Sequence, residues 1–467
     1  MRMHGNRGSF LYLFLACGVA ALGGLLFGFD TAVISGVEGP LQQQFHLSAK
    51  MHGWVVSSAL VGCLLGSAVA GAISDRFGRK KVLLLAAVLF AVCAIGSAIP
   101  REPWHLVVAR LIGGVGIGIA SMLSPMYIAE IAPSKLRGGL ITLSQLAITI
   151  GILVAYLSND ALSQLAQSYP SLYGGGLWRW MFVTEVWRGM LLVGLLPAAV
   201  LFFLLFFVPE SPRWLVKQGR IDEALAILSR VGGRDEAQRE LTEIRQTLAQ
   251  ETGSIRELFQ PKLLPALTIG VLLPFFSQIC GINVLIYYGI TVLKEAGMTA
   301  AEAMHWQNIF GVTNIAATVL AIFTVDRFGR KPLLLTGIIG VGLGLFGGGW
   351  LFLHAPINPK HVFAVFAFFL ACFNFSFGSV CWIIVAEIFP TAIRGRAMSI
   401  SIFSLWAGCA LVGQTFPYLL KTAGPAGSFW LYAATTPLAF LFVLFFVPET
   451  KGKTLEQIEK TWRRRGL

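Results

Sequence analysis

Three charged motifs occur twice in this chain, about half a chain apart, and each stands between long apolar stretches. Asp75-Arg76-Phe77-Gly78-Arg79-Lys80-Lys81 returns as Asp326-Arg327-Phe328-Gly329-Arg330-Lys331-Pro332. Ala129-Glu130-Ile131-Ala132-Pro133 with Arg137-Gly138 returns as Ala386-Glu387-Ile388-Phe389-Pro390 with Arg394-Gly395. Val208-Pro209-Glu210-Ser211 returns as Val447-Pro448-Glu449-Thr450. The offsets are 251, 257 and 239 residues, so one ancestral half has been duplicated in parallel orientation. Internal repeats in a strongly apolar chain are a mark of secondary transporters, whose cargo is held between the halves.

Of the 467 residues 56% are hydrophobic and only 13% charged, too little polar surface to cover a soluble globule of this size. Apolar runs long enough to cross a ~30 Å hydrocarbon core recur twelve times. They fall near 10–35, 53–74, 82–100, 107–129, 140–159, 189–208, 264–290, 305–325, 333–353, 362–386, 397–420 and 428–447. Long unbroken runs exclude a β-barrel, which would show short alternating segments. The expected fold is an all-α membrane protein of twelve transmembrane helices in two parallel, pseudo-symmetric six-helix halves. The N-terminal half covers 1–208, a small cytoplasmic helical segment 209–262, the C-terminal half 263–447 and a cytoplasmic tail 448–467. The first run exceeds a signal-peptide core and holds Asp30, so it is expected to stay as the first span.

Lysine and arginine set the orientation. With the N-terminus inside, 28 of the 36 Lys and Arg residues fall in cytoplasmic segments, seven outside, and Arg110 lies within the fourth span. That asymmetry places both termini in the cytoplasm. It also accounts for the net charge of +13, so nucleic acid need not be invoked and the basic loops face anionic lipid. The seven cysteines lie within apolar spans without metal-ligand spacing and read as small buried residues. The segment 209–262 has no His, no Cys and no glycine-rich phosphate loop, so no enzyme domain is expected. Glycines cluster at Gly62, Gly66 and Gly71, at Gly113, Gly114, Gly116 and Gly118, and from Gly337 to Gly349, which suits close helix approach.

The paired Asp-Arg-Phe-Gly-Arg-Lys loops resemble the hallmark of the major facilitator superfamily. Pro209-Glu210-Ser211-Pro212-Arg213-Trp214 and Pro448-Glu449-Thr450-Lys451-Gly452 resemble its sugar porters, as does Gln278-Ile279-Cys280-Gly281-Ile282-Asn283 with Tyr287-Tyr288. Leu25 to Gly36 and Arg110 to Tyr127 look most like bacterial xylose–proton symporters. The resemblance implies a major facilitator fold in a bacterial inner membrane. It implies import of a monosaccharide, pentose or hexose, driven by protons, with no cofactor beyond the coupling ion; a monomer is expected. An uncoupled uniporter and a polyol symporter stay open as alternatives. A non-transporting sensor is not expected, since those relatives usually carry long cytoplasmic tails.

Two charges inside the membrane carry the coupling reading. Asp30 and Arg110 lie on the order of 10 Å below the outer surface at 1.5 Å per residue, and either alone costs roughly 3 kcal/mol or more to insert. At matched depth they can pair, either as a static lock or as a switch in which burial favours the protonated acid and Arg110 the carboxylate. A proton carried down 100 mV supplies about 2.3 kcal/mol, roughly 50-fold accumulation of a neutral solute. The resemblance adds Glu185 to the coupling set, although nine residues, Val186 to Gly194, look inserted after it.

A sugar needs amides for its hydroxyls and a flat aromatic for its apolar face. Gln145, Gln278, Asn283, Asn314, Trp382 and Trp406 align with sugar-contact positions, and Tyr287 and Phe27 join them. The chain departs from the pattern at Ser277 and Leu405, where amides are usual; Gln414 and Asn374 are candidates to compensate. At the cytoplasmic helix ends Asp75, Arg76, Arg79, Glu130, Arg137, Glu210, Asp326, Arg327, Arg330, Glu387, Arg394 and Glu449 read as a gate. Their ion pairs would close that side across the halves when the outer side opens.

Overall fold

The spanning helices run past their apolar cores, α1 by nine residues beyond the run that hydropathy marks. The computed structural model describes residues 9–133, 136–171, 175–250, 255–354, 356–389 and 393–451. The side chains of Arg137, Asp326 and Arg394 lie outside that description. The first half holds α1 (Phe10–Gln44), α2 (Ala49–Phe77), α3 (Arg79–Ala98), α4 (Pro103–Ile131), α5 (Arg137–Ser168) and α6 (Val186–Phe207). Ser9 and Ser48 start α1 and α2 by accepting from the N–H groups of Tyr12 and Met51. The second half holds α7 (Leu264–Glu295), α8 (Ala300–Phe328), α9 (Arg330–Leu353) and α10 (Pro359–Ile388). A helical run from Gly395 to Phe446 follows. At 52 residues, about 78 Å, it is far too long for one ~30 Å crossing. Gly424, at φ 67° and ψ 179°, breaks it into α11 (394–423) and α12 (425–446), completing twelve spans.

The duplication is visible in the packing. In the first half α1 packs on α5, α2 on α4 and α3 on α4; in the second α7 packs on α11, α8 on α10 and α9 on α10. The halves meet along α2 with α11 and along α5 with α8. The two repeated loops match in backbone as well. Gly78 (φ 96°, ψ 160°) and Gly329 (φ 94°, ψ 162°) occupy a region that favours glycine, each turning one helix directly into the next. Behind Gly78, Glu210 accepts from the N–H groups of Arg79 and Lys80; behind Gly329, Glu449 accepts from those of Arg330 and Lys331. A carboxylate thus caps the N-terminus of α3 and of α9.

Between the halves in the chain lie three short helices, Pro212–Lys217, Ile221–Gly232 and Arg234–Gln250. They bury a small core of their own, from Leu228, Ala237, Leu241 and Ile244. Trp214 ties them to the first half by donating from Nε1 to the Asp75 carbonyl (2.9 Å). Most of the nine residues that look inserted after Glu185 are helical. A π-turn over Trp180–Thr184 ends at Glu185, and Val186–Leu192 forms the outer turns of α6 with Trp187, Arg188, Met190 and Leu191 buried.

Glycines on α2 and α4 let the two backbones touch. A Cβ on Gly114 would run into the Ala59 carbonyl, and one on Gly62 into that of Leu111. Gly114→Val should therefore lower the thermal midpoint of the solubilised protein by several degrees, the cost of overpacking being about 1–3 kcal/mol or more. Gly18→Ala, where an added methyl meets nothing within 4 Å, should leave it unchanged.

Candidate functional site

The lysine and arginine distribution predicts that the Gly78 and Gly329 loops face the cytoplasm, and that side is called cytoplasmic, the opposite one outer. On the opposite, outer side polar contacts cross the seam. Ser35 (α1) donates to Gln307 (α8) at 3.1 Å, Ser57 (α2) to Gln414 (α11) at 2.7 Å, and Tyr156 (α5) to the Ile286 carbonyl (α7) at 3.3 Å. Asn308 (α8) donates to Asp160 (α5) at 2.7 Å. At the cytoplasmic ends the described ion pairs stay inside one half. Arg79 grips Glu130 through Nε and NH2, both at 2.9 Å, and reaches Asp75 at 3.0 Å. Lys217 adds a 2.9 Å pair to Asp75, and Arg330 meets Glu387 at 3.2 Å in the second half. The structure therefore has its outer seam closed, and the gate residues Asp75, Arg79, Glu130, Glu210, Arg330, Glu387 and Glu449 are engaged within their own halves. Arg76 and Arg327 lie over their neighbours Phe77 and Phe328.

Midway along the seam α7 is broken at Cys280-Gly281, where Gly281 takes φ 83° against the Tyr432 ring. The break brings Gln278 and Asn283 side by side, with Asn283 Nδ2 donating to Gln278 Oε1 (2.8 Å). Gln278 Nε2 donates to Ser277 Oγ (2.9 Å), so Ser277 is a partner that orients the amide. Cys409 on α11 donates to Gln278 Oε1 at 3.2 Å and receives from Asn283 at 3.3 Å. One turn along α11, Trp406 is fully buried with its indole Nε1 unpaired, and it meets Phe27 of α1 with ring centroids 5.1 Å apart. Asn314 on α8 accepts from Asn374 (2.5 Å), which opens a π-turn in α10 upstream of the partly buried Trp382. Tyr287 is buried on α7, while Gln145 is partly buried on α5.

Of the two amides considered as replacements, Asn374 lies beside Asn314 in the candidate site and Gln414 lies elsewhere. It lies two turns outward of Trp406 and is spent on Ser57 and the Lys50 carbonyl (3.1 Å). Reading the α11 register, with eight residues adding about 12 Å, places it in the outer seam.

Asp30 and Arg110 come near one another without an ion pair. Arg110 is 1% exposed with Nε and NH1 unpartnered; Asp30 is partly buried, its Oδ2 shielded and unpartnered. The Oδ1 atom of Asp30 accepts a weak bond from the Cys93 thiol at 3.7 Å, which itself lies 3.7 Å from Ser97. Glu185 stands apart from this pair. It accepts from Gln44 (2.9 Å), Trp180 (2.9 Å) and Arg188 (2.6 Å), level with a residue fourteen positions, about 21 Å, along α1 from Asp30. Burial alone would raise its carboxyl, but the donors from Gln44, Arg188 and Trp180 outweigh that and hold it below the usual range. Arg188 continues to the carbonyls of Ala98 and Pro100, so Glu185 belongs to a clamp tying α1, α3 and α6 at the outer rim.

Cys93 and Cys409 went unsingled among the seven cysteines, because nothing in their spacing marks them. Six of the seven are buried, Cys372 is partly so, and all are free. Glu38 and His52, a buried acid–imidazole contact, went unread because hydropathy ends the first span at residue 35 whereas α1 runs to Gln44.

Two pseudo-symmetric six-helix halves meeting along a seam that holds amides and indoles at mid-height define a membrane transporter of the alternating-access kind. The chain belongs to the Sugar (and other) transporter family, which it matches over residues 16–462, and its fold is that of the major facilitator superfamily. It is 40% identical over 451 residues to the arabinose–proton symporter of Bacillus subtilis, covering 96% of this chain and 95% of that one. It is likewise 40% identical over 485 residues to the D-xylose–proton symporter of Escherichia coli, covering 97% and 96%. The partially occluded inward-open structure of the E. coli xylose transporter superimposes with a TM-score of 0.83 at 39% identity, covering 95% of this chain and all of that one.

Burial would raise the Glu449 carboxyl, but backbone N–H groups of Lys451, Arg330, Lys331 and Thr450 together hold it below the usual range. A depressed acid contributes stability in full above its unfolded value and loses it as pH falls through the folded one. Thermal unfolding followed from about pH 7 to pH 4 should lose stability on the acid side, and Glu449→Gln should flatten that loss.

Proposed function

We propose that this protein imports a monosaccharide, pentose or hexose, together with a proton by alternating access in a bacterial inner membrane, with both termini cytoplasmic. The observation that carries the coupling half of this reading is the separation of Asp30 from Arg110. Two groups of opposite charge lie near each other inside the membrane, each with a polar atom left unpartnered. A static lock would satisfy both; a switch leaves them apart in one state and joined in the other. Asp30 carries the proton when parted from Arg110 and releases it when the two pair, so proton occupancy follows conformation. Cys93 gives Asp30 a weak donor while the guanidinium is away.

The sugar half of the reading rests on the broken α7 and on Trp406. Gln278, Asn283 and Cys409 form one polar edge, Asn314 and Asn374 another, and the Phe27–Trp406 contact joins the two halves. Hydroxyls of a bound sugar would exchange for the amide-to-amide bonds, with Gln145 closing from the first half and Trp382 offering a flat face. Relatives named as proton symporters of arabinose, xylose and galactose support the class. With the outer seam shut, the site opens toward the cytoplasm. The charged residues at the cytoplasmic ends, Arg137 and Arg394 among them, would come together across the halves in the opposite state. Glu185, clamped and ionised at the rim, is assigned to holding the outer helix ends rather than to carrying the proton.

Asp30→Asn should abolish sugar accumulation against a gradient yet preserve exchange of labelled for unlabelled sugar, because exchange needs no net proton cycle. Accumulation that persists in Asp30→Asn would refute the assignment. Glu185→Gln should keep proton-driven accumulation.

Losing one partner of a buried hydroxyl costs about 1–3 kcal/mol. Gln278→Ala and Trp382→Ala should accordingly weaken binding roughly ten- to a hundredfold while membrane insertion stays normal. A panel of labelled sugars in a transport-deficient host measures this, and indifference of every sugar to both changes would remove the site.

A further inference from the structure

Glu38 on α1 and His52 on α2 face each other with Oε2 and Nε2 2.7 Å apart, their side chains 1% and 5% exposed. Both belong to the first half. The other Glu38 oxygen accepts from Thr291 Oγ1, on the outer part of α7 in the second half. The His52 ring stands edge-on to Tyr288 of α7, centroids 5.6 Å apart, and Tyr288 donates its hydroxyl to the Gly413 carbonyl on α11 (2.8 Å). The pair therefore lies in the closed outer seam, covered by the second half. Nothing in the coupling or sugar readings uses it.

Its charge state decides whether closure is affordable. A carboxylate shut in with a neutral imidazole is one uncompensated negative charge in a medium of low dielectric, a costly arrangement. One shared proton makes the pair neutral overall, whichever partner formally holds it. Other charges do not do this work. From α7 the titratable group facing the pair is Tyr288, which Tyr432 of α12 and Arg110 of α4 reach electrostatically. Lys50 on α2 and Lys294 and Glu295 on α7 are exposed to water, and α11 contributes the neutral Gln414. Opening the outer side must part Thr291 from Glu38 and admit water, where a carboxylate and an imidazole no longer need a common proton. Closing and proton uptake are then linked.

We propose that Glu38 and His52 form a second proton-binding site of the transport cycle, occupied when the outer side is closed and emptied to the outer medium when it opens. External pH thereby sets the outer gate independently of Asp30. The second acid–imidazole contact of the seam, Asp160 with His305 at 3.2 Å, does not share this logic, since the His305 side chain is 68% exposed and stays hydrated.

The inference rests on alternating access, and its test needs neither sugar nor transport, so its failure is separable from failure of the symport reading. Ser35 is buried in the same seam against Gln307. Labelling of Ser35→Cys by a membrane-impermeant maleimide, added outside right-side-out vesicles, reads outer opening; the labelled peptide is quantified by mass spectrometry. Between about pH 5.5 and pH 8, labelling should rise with pH, by up to about tenfold per unit for one linked proton. His52→Gln and Glu38→Gln should each abolish that pH dependence, whereas Asp30→Asn should retain it. Either neutral variant suffices if the other fails to insert. An unchanged pH dependence in His52→Gln or Glu38→Gln overturns the proposal, and its loss in Asp30→Asn assigns the effect to Asp30 instead.

Discussion

A polar group without water must find its partner inside the protein, and that requirement sorts every charge in this chain. The answers differ by location. At the cytoplasmic end of the first half, charge is satisfied several times over. Arg79, 7% exposed in its side chain, bonds Glu130 twice, Asp75 once and the Ser74 carbonyl at 3.1 Å. Deeper in the membrane the partners are fewer: Asp30 and Arg110 within the first half and the Trp406 indole at the seam leave atoms unpartnered.

The two halves reach rigidity by repeated means. Glycine-lined backbones of α2 and α4 touch directly, and the Gly78 and Gly329 loops share a conformation and a capping carboxylate. Rocking one such body against another moves the seam as a whole, which is how a change near Asp30 can be felt at Glu38, eight residues or about 12 Å farther out along α1.

Much of this was legible in the sequence because the duplicated motifs and the twelve apolar runs are properties of spacing alone. Asp30 and Arg110 stood out for the same reason: a charge amid twenty apolar residues is conspicuous. What hydropathy could not give was register across the seam. Gln414 was a fair candidate for the site until the helix placed it beside Ser57 and Lys50. That Val186 to Leu192 would form the outer turns of α6, set off by a π-turn before Glu185, was not readable from hydropathy. Glu38 was hidden because the apolar run fades near residue 35, although α1 continues to Gln44. Ser277 looked like a lost sugar donor, yet its hydroxyl aims Gln278.

The choice of partners in the outer seam fits the energy at hand. Its bonds from Ser35 to Gln307, Ser57 to Gln414 and Tyr156 to the Ile286 carbonyl join neutral groups, each worth about 1 kcal/mol net. A few such bonds are comparable to the ~2.3 kcal/mol that one proton gains across 100 mV. A buried ion pair like Arg79–Glu130, broken on one side, costs about 3–5 kcal/mol, more than that proton supplies. Placed across the outer seam it would hold the transporter shut; placed inside a half it costs the cycle nothing. Glu38, whose imidazole partner is as deeply enclosed as it is, can be uncharged as a pair when the seam is shut, which keeps even that contact within reach of a single proton.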